Sequence, residues 1–197
     1  LAGNFNLVNT EELFGLVNID PGQFQRQSDL AAMMEVLHHF LVKADEAFPG
    51  HMDVAKVLKK AVPLFDGGFN FCGLIGNGDA FVMRDAHGIR PSYYYINDDV
   101  IVAASERAAI RTAFNVGENE VKELMPGNAL MVKADGSFSI EQIVEAKERK
   151  ACSFERIYFS RGSDEKIYQE RMALGYNLSD VILKVIKYDL KNTIFSF

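Results

Sequence analysis

The chain has 197 residues, 48% of them hydrophobic, enough to bury a sizeable core in one domain or in parts of two. Its net charge of −6 and pI near 5.3 exclude the basic face that nucleic-acid binding requires. No apolar run is long enough to cross a membrane, and two cysteines, Cys72 and Cys152, are too few for a disulfide framework or a zinc site. Free thiols in an acidic chain without a signal-peptide pattern lead us to expect the cytoplasm.

In chain order, "NFNLVN" (4–9) reads as an Asn-rich turn around a short apolar core. "TEELFGLV" follows as a short helix with Thr10 as N-cap, weakened at its end by Gly15 and Asn18. From Ser28 a longer helix is predicted, with Leu30, Met33, Met34, Leu37, Phe40, Leu41 and Ala44 at helical spacing and Ser28 or Asp29 at its start. A further helix is expected from Asp53, as its cap, to just before Pro63.

The apolar period then changes to two. "GFNFCGLIG", "AFVMRD", "SYYYI" and "VIVAAS" read as strands of one antiparallel meander, separated by "NGD", "AHGIRP" and "NDD". A short helix capped by Ser105 comes next. "NALMVKA" and "FSIEQIV" then form a hairpin around "DG". "EAKERK" (145–150) reads as a charged hinge. Beyond it, "SFERIYFSR" is expected to be a strand, and residues 166–191 a long amphipathic helix or a broken pair. The apolar face of that helix is marked by Leu174, Leu178, Val181, Ile182, Val185 and Ile186.

Chemistry-bearing residues are sparse. His38 and His39 are neighbours on a helix and point about 100° apart, which does not suit a shared ligand. "GLIGNGD" lies between two strands with no helix after it, so Gly76 and Gly78 read as hairpin residues rather than a dinucleotide loop. Cys72, in an apolar strand, reads as an inert core thiol. The knot "RDAHGIRP" (84–91) reads as a structural turn in which Arg84, Asp85 and Arg90 are surface ions or a small pinning network. The three Asn of "GNFNLVN" admit two readings. They can stabilise a turn, or an Asn amide with a neighbouring backbone N–H can hold a developing oxyanion.

The order "GNFNLVN", "SD" opening a helix, "GGFN…GLIGNGDAFVMRDAHGIRP", "VAASERAAI", "PGNALMVKADG", "CSFERIYFSR" and "IYQERMALGYNLSD" resembles the amidophosphoribosyltransferases. These are also called glutamine phosphoribosylpyrophosphate amidotransferases. The resemblance implies an α+β fold: part of an N-terminal-nucleophile αββα sandwich (class II glutaminase) over 1–150, then the first strand and helix of a phosphoribosyltransferase domain over 151–197. It implies hydrolysis of glutamine and transfer of the ammonia to phosphoribosylpyrophosphate, giving 5-phosphoribosylamine. The partners it implies are those two substrates, with no nucleic acid or membrane, and a homo-oligomer.

Residue by residue, the resemblance places the oxyanion Asn on Asn4 and the backbone N–H donor on Phe5, where the family has Gly. It places the carboxylate that takes the glutamine α-amino group on Asp29, and a position that ligates an iron–sulfur cluster in some relatives on Cys152. Magnesium would accompany phosphoribosylpyrophosphate in the full-length enzyme. The family nucleophile is an N-terminal Cys whose α-amino group is its base. Cys72 and Cys152 are internal, so these 197 residues alone are expected to be inactive, and both ends are expected to be cuts in a longer polypeptide. Two other readings remain open at this point: a non-catalytic glutamine-binding or interaction module derived from that enzyme, or another class II glutamine amidotransferase.

Overall fold

The computed structural model describes residues 1–17, 28–47, 49–50 and 52–196. Two compact units are present, Leu1–Cys152 and Ser153–Phe197.

In the first unit, β1 (Ala2–Leu7) leads into α1 (Thr10–Leu16), α2 (Asp29–Ala47) and α3 (Val54–Ala61). After a 3₁₀ turn at Val62–Leu64 come β2 (Gly67–Leu74), β3 (Ala80–Arg84), β4 (Tyr93–Ile96), β5 (Ile101–Ala104) and α4 (Arg107–Phe114). The short β6 (Lys122–Glu123) and the hairpin β7 (Asn128–Val132) and β8 (Phe138–Gln142) follow. The strands form a five-stranded antiparallel sheet of order β1-β2-β3-β7-β8 and a three-stranded sheet of order β5-β4-β6. The expected single meander is therefore two sheets. Residues 85–92 cross from one to the other instead of closing a hairpin. Turn chemistry is the same for a hairpin and a crossing, so composition could not separate them.

Alternation along the strands divides the large sheet into two faces. Phe69, Phe71, Phe81 and Met83 meet Met33, Val36, Leu37 and Leu58 of α2 and α3 in one buried core. The other face borders β5 across an open groove, and α4 packs on the small sheet, giving the αββα order. In α2 the buried stripe includes Ala32 and Val36, whereas Met34 is half exposed, so the core face is rotated slightly from the expected one.

Side-chain caps account for the starts of α2 and α3. The Asp53 side chain accepts from Lys56 N–H at 3.2 Å, and Ser28 Oγ from Ala31 N–H at 3.2 Å. Thr10 is not a cap. Asn9 precedes α1 and uses its amide instead to accept from Asp66 N–H and donate to Leu64 C=O. Glu106, not Ser105, precedes α4, with no side-chain cap. The Asn-rich stretch is a strand, because its backbone pairs with β2 from Ala2↔Cys72 to Leu7↔Gly67. Asn18 lies outside the described residues.

The crossing between the sheets is held by two buried ions. Arg84 and Asp85 are each only 1% exposed. Arg84 Nε donates to Arg90 C=O at 2.8 Å, and Nη2 to Gly88 C=O at 3.1 Å. Nη1 donates to the Glu123 carboxylate at 2.8 Å and to Leu124 C=O at 2.6 Å. One guanidinium thus joins β3 of the large sheet to β6 of the small one. The Asp85 carboxylate accepts from the backbone N–H groups of His87 and Ile89. Gly88 has φ +60°, and a Cβ there would meet Pro126 Cγ at 2.8 Å, so its lack of a side chain is required.

The predicted hinge is pinned to the same loop. Lys147 N–H donates to Ala86 C=O, Lys150 N–H to His87 C=O and Cys152 N–H to Ile89 C=O, at 2.9–3.0 Å.

In the second unit, Glu155–Phe159 forms a short π-helical turn, not the expected strand. A strand needs a partner for its N–H and C=O groups. This unit contains no strand among its described residues, so the turn satisfies its backbone locally. Helix α5 (Glu165–Val185) is continuous and is capped by the Asp164 side chain. Arg171 donates to Arg156 C=O and Ser160 C=O, and Arg156 pairs with Glu170. Leu178, Val181 and Val185 are exposed, as are Phe154 and Tyr158.

Truncating Arg84 to Ala should leave the Gly88, Arg90 and Leu124 carbonyls without their donor and Glu123 with Arg149 alone. We expect a loss of about 3–5 kcal/mol in urea unfolding, as for other broken buried ion pairs. A loss below about 1 kcal/mol would mean that the knot is ornamental.

The acid limb of stability carries a second expectation. Burial pushes the Glu123 carboxyl up, but hydrogen bonds from Arg84 and Arg149 outweigh it and hold it below the ordinary value of 4.5. The hydrogen bond from Lys133 lowers the Asp79 carboxyl below 3.8. Depressed carboxyls contribute stability that is fully present above about pH 4.5 and is lost as pH falls through the folded-state values. Denaturation midpoints should therefore fall below pH 4.5 and stay flat, for these groups, from pH 5 to 7.

Candidate functional site

Strand β1 is the free edge of the large sheet, and its two kinds of residue present different groups. Phe5 and Leu7 turn their side chains to the helix core. Asn4 and Asn6 turn to the opposite face, where the groove lies. Asn4 is exposed there, and its amide has no hydrogen bond among the described residues.

Backbone donors alternate as well. Val8 N–H points inward to Asp66 C=O at 2.9 Å, whereas Leu7 N–H points outward to the Asp29 carboxylate at 3.0 Å. Phe5, two residues before Leu7, therefore directs its N–H out of the same open edge. Its backbone is not in the left-handed region, so a residue with a side chain fits where a Gly-only conformation is not demanded. The Phe ring then anchors the strand to the core.

Asp29 opens α2 and reaches this edge through Oδ2. Its other oxygen, Oδ1, has no partner among the described residues. Asp29 and the Phe5 N–H are thus neighbours along one edge, with the Asn4 amide just around it on the groove face. A rise of about 3.4 Å per residue separates the N–H positions of Phe5 and Leu7 by about 7 Å.

The groove beside Asn4 has a volume of about 340 Å³ and is lined by Asn4, Asn70 and Cys72 of the large sheet and Ala103, Ala104 and Ser105 across from it. It continues into an apolar stretch between Val82, Leu130 and Val132 on one side and Ile101 and Ala103 on the other. Cys72 belongs to this face and is exposed, which corrects its reading as a core thiol. The reason is alternation: Phe69 and Phe71 take the core face, so Asn70 and Cys72 take the other.

Cys152 is half-buried, with its N–H on Ile89 C=O. Cys152 alone cannot hold an iron–sulfur cluster, whose other ligands would have to come from outside these residues. Among the described residues no three His, Cys, Asp or Glu side chains converge on a point.

Two features escaped the sequence reading. Asn70 lies directly opposite Asn4 in the sheet register, and Arg84 lies directly opposite Asn70. Ser92, buried at 1%, lines the same groove. The available signal was a single Asn set between Phe69 and Phe71 in a strand of aromatic residues.

Comparison with known proteins places these features in a family context. A family model described as a glutamine amidotransferase domain matches residues 1–112. An amidophosphoribosyltransferase of Bacillus subtilis is 31% identical over 183 residues, covering 91% of this chain and 36% of that protein. One from Saccharomyces cerevisiae is 28% identical over 200 residues, covering 95% of the chain and 39% of its own length. The chain thus spans little more than a third of the curated relatives it matches. Among solved structures, the B. subtilis glutamine phosphoribosylpyrophosphate amidotransferase complexed with ADP and GMP superposes with a TM-score of 0.58. It has 27% identity and covers 81% of this chain and 32% of its own. A structure described as the allosteric regulatory enzyme of purine biosynthesis gives 0.60, also at 27%, covering 81% and 31%.

The placement of Asp29 is open to a direct check. Asp29→Ala removes the acceptor for Leu7 N–H, whereas Asp29→Asn keeps one. Hydrogen exchange should show the Leu7 amide protected in the wild type and Asp29→Asn and roughly tenfold faster in Asp29→Ala, the equivalent of about 1.4 kcal/mol for a bond to a charged group. Equal exchange in all three would place the carboxylate elsewhere.

Proposed function

Because the chain belongs to the glutamine amidotransferase domain family, we propose that it is the glutamine-handling part of an amidophosphoribosyltransferase. On this reading residues 1–150 belong to the glutaminase domain and 151–197 begin a phosphoribosyltransferase domain. The whole protein hydrolyses glutamine and passes the ammonia to phosphoribosylpyrophosphate, giving 5-phosphoribosylamine. It works in the cytoplasm, as a homo-oligomer. Magnesium would enter with phosphoribosylpyrophosphate, and none of the residues described here is assigned to it.

The observation that carries the proposal is the edge of β1. Glutamine carries an ammonium at one end and an amide carbonyl at the other, about 6 Å apart when extended, as bond lengths near 1.5 Å dictate. The edge presents a carboxylate, Asp29, and an outward N–H, Phe5, at about that spacing. Asp29 takes the ammonium, a charge-assisted contact made in ground and transition states alike. The carbonyl oxygen gains charge when a thiolate adds to its carbon, and Phe5 N–H with the Asn4 amide can then donate to it.

Neither Cys72 nor Cys152 is the nucleophile in this reading. Each is internal and lacks the free α-amino group that would serve as base. These 197 residues alone should release no glutamate from glutamine.

Steady-state kinetics of the full-length protein separate the two roles. Asn4→Ala should lower the glutamine-dependent kcat by roughly 10²–10³, as loss of an oxyanion donor does elsewhere. Asp29→Asn, which keeps the bond to Leu7, should chiefly raise KM for glutamine. Synthesis driven by added ammonia should survive both. Loss of the ammonia reaction as well would make these residues supports of the fold, and an unchanged kcat in Asn4→Ala would remove the oxyanion role.

A further inference from the structure

We propose that Asn70 is a positioning residue that sets the amide of Asn4, an inference that rests on the glutaminase reading above. Asn4, Asn70 and Arg84 are successive register partners across β1, β2 and β3, so their side chains form one row on the groove face. The next row along, Ala2, Cys72, Val82 and Leu130, carries no side-chain amide or charge. The polar groups of this face are thus gathered beside Asn4.

Asn70 is only half-exposed, and one end of its amide is committed. Its Nδ2 donates to Pro91 C=O at 2.7 Å. Pro91 closes the loop that Arg84 and Asp85 hold, so the plane of the Asn70 amide is fixed by the buried knot. Its Oδ1 has no protein donor among the described residues.

Asn4 has the complementary need. Its amide has two N–H donors, of which an oxyanion uses one. Directly opposed residues in an antiparallel pair hold their Cβ atoms about 5 Å apart, within reach of two short amides. A hydrogen bond from Asn4 Nδ2 to Asn70 Oδ1 orients the second N–H at the oxyanion and removes the rotational freedom of an exposed side chain. Catalytic hydrogen bonds are often open in the free enzyme and close with substrate. Asn70 touches no reacting atom in this scheme. It relays the position of the 85–91 loop to the residue that does.

The alternative is that Asn70 only holds Pro91. Two variants of the full-length protein distinguish the roles. Asn70→Leu removes both ends of the amide, whereas Asn70→Asp loses the donor to Pro91 but keeps an acceptor for Asn4. Each is assayed with glutamine and with ammonia, alone and combined with Asn4→Ala, and its melting temperature is recorded.

We expect Asn70→Leu to lower the glutamine kcat about tenfold, with KM for glutamine changed less than twofold and the ammonia rate unchanged. Asn70→Asp should retain more of the kcat than Asn70→Leu. In the Asn4→Ala background neither change should matter further, because the effects pass through Asn4. If the Asn70 and Asn4 effects multiply independently, or if Asp is as poor as Leu, Asn70 is a loop anchor and the inference is overturned while the glutaminase reading stands. If Asn4→Ala itself leaves kcat intact, the inference falls together with the oxyanion role of Asn4.

Discussion

Arg84 brings a permanent charge to the point where the chain leaves one sheet for the other, and it is sealed from water there. A guanidinium cannot shed its proton to escape that cost, so every donor must be met. The partners that meet it come from three places: the loop at Gly88 and Arg90, the short strand β6 at Glu123, and Leu124 just beyond it. The two sheets are therefore tied by one side chain. Asp85 beside it draws the backbone N–H groups of His87 and Ile89 inward and closes the turn of the loop.

Consequences of this constraint run in two directions. Toward the groove, the fixed loop presents Pro91 C=O to Asn70, and Asn70 stands between Arg84 and Asn4 in the sheet. Toward the end of the unit, the loop carbonyls of Ala86, His87 and Ile89 hold residues 147–152, while Arg149 shares the Glu123 carboxylate with Arg84. A segment that composition marks as a charged hinge is thus a strap along the knot. Buried charges of this kind contribute little net stability compared with apolar packing, yet they are costly to break singly. That combination suits a part whose task is to specify one arrangement of two sheets and one edge.

What could be read in advance follows from the range of the forces involved. Helices α2 and α3 and the β7–β8 hairpin were legible because periodicity and turn residues act over a few positions, as with Asp53 as a cap and Asp135-Gly136 as a turn. The split into two sheets was not, since a crossing and a hairpin use the same Gly and Pro chemistry. Strand β1 was hidden by Asn4 and Asn6, with Asn9 just beyond, since Asn favours turns locally; pairing with β2 overrides that preference. The helical turn at 155–159 was hidden for the opposite reason: its aromatic and β-branched residues suit a strand, but strand partners are a property of the surroundings.

Resemblance supplied Asn4, Phe5 and Asp29, and the structure shows how they relate, with a carboxylate and an outward N–H on one edge and an amide around the corner. Burial of Arg84 and the placement of Asn70 were out of reach from residue types alone.

A crystal structure of the full-length protein with the hydrolysis product glutamate bound would test this arrangement most directly. The account predicts the product lying along the β1 edge, its α-ammonium on the Asp29 carboxylate and its side-chain carboxylate within hydrogen-bond distance of Phe5 N–H and Asn4 Nδ2. Glutamate seated elsewhere, with Asp29 engaged only by Leu7 and the β1 edge vacant, would contradict it.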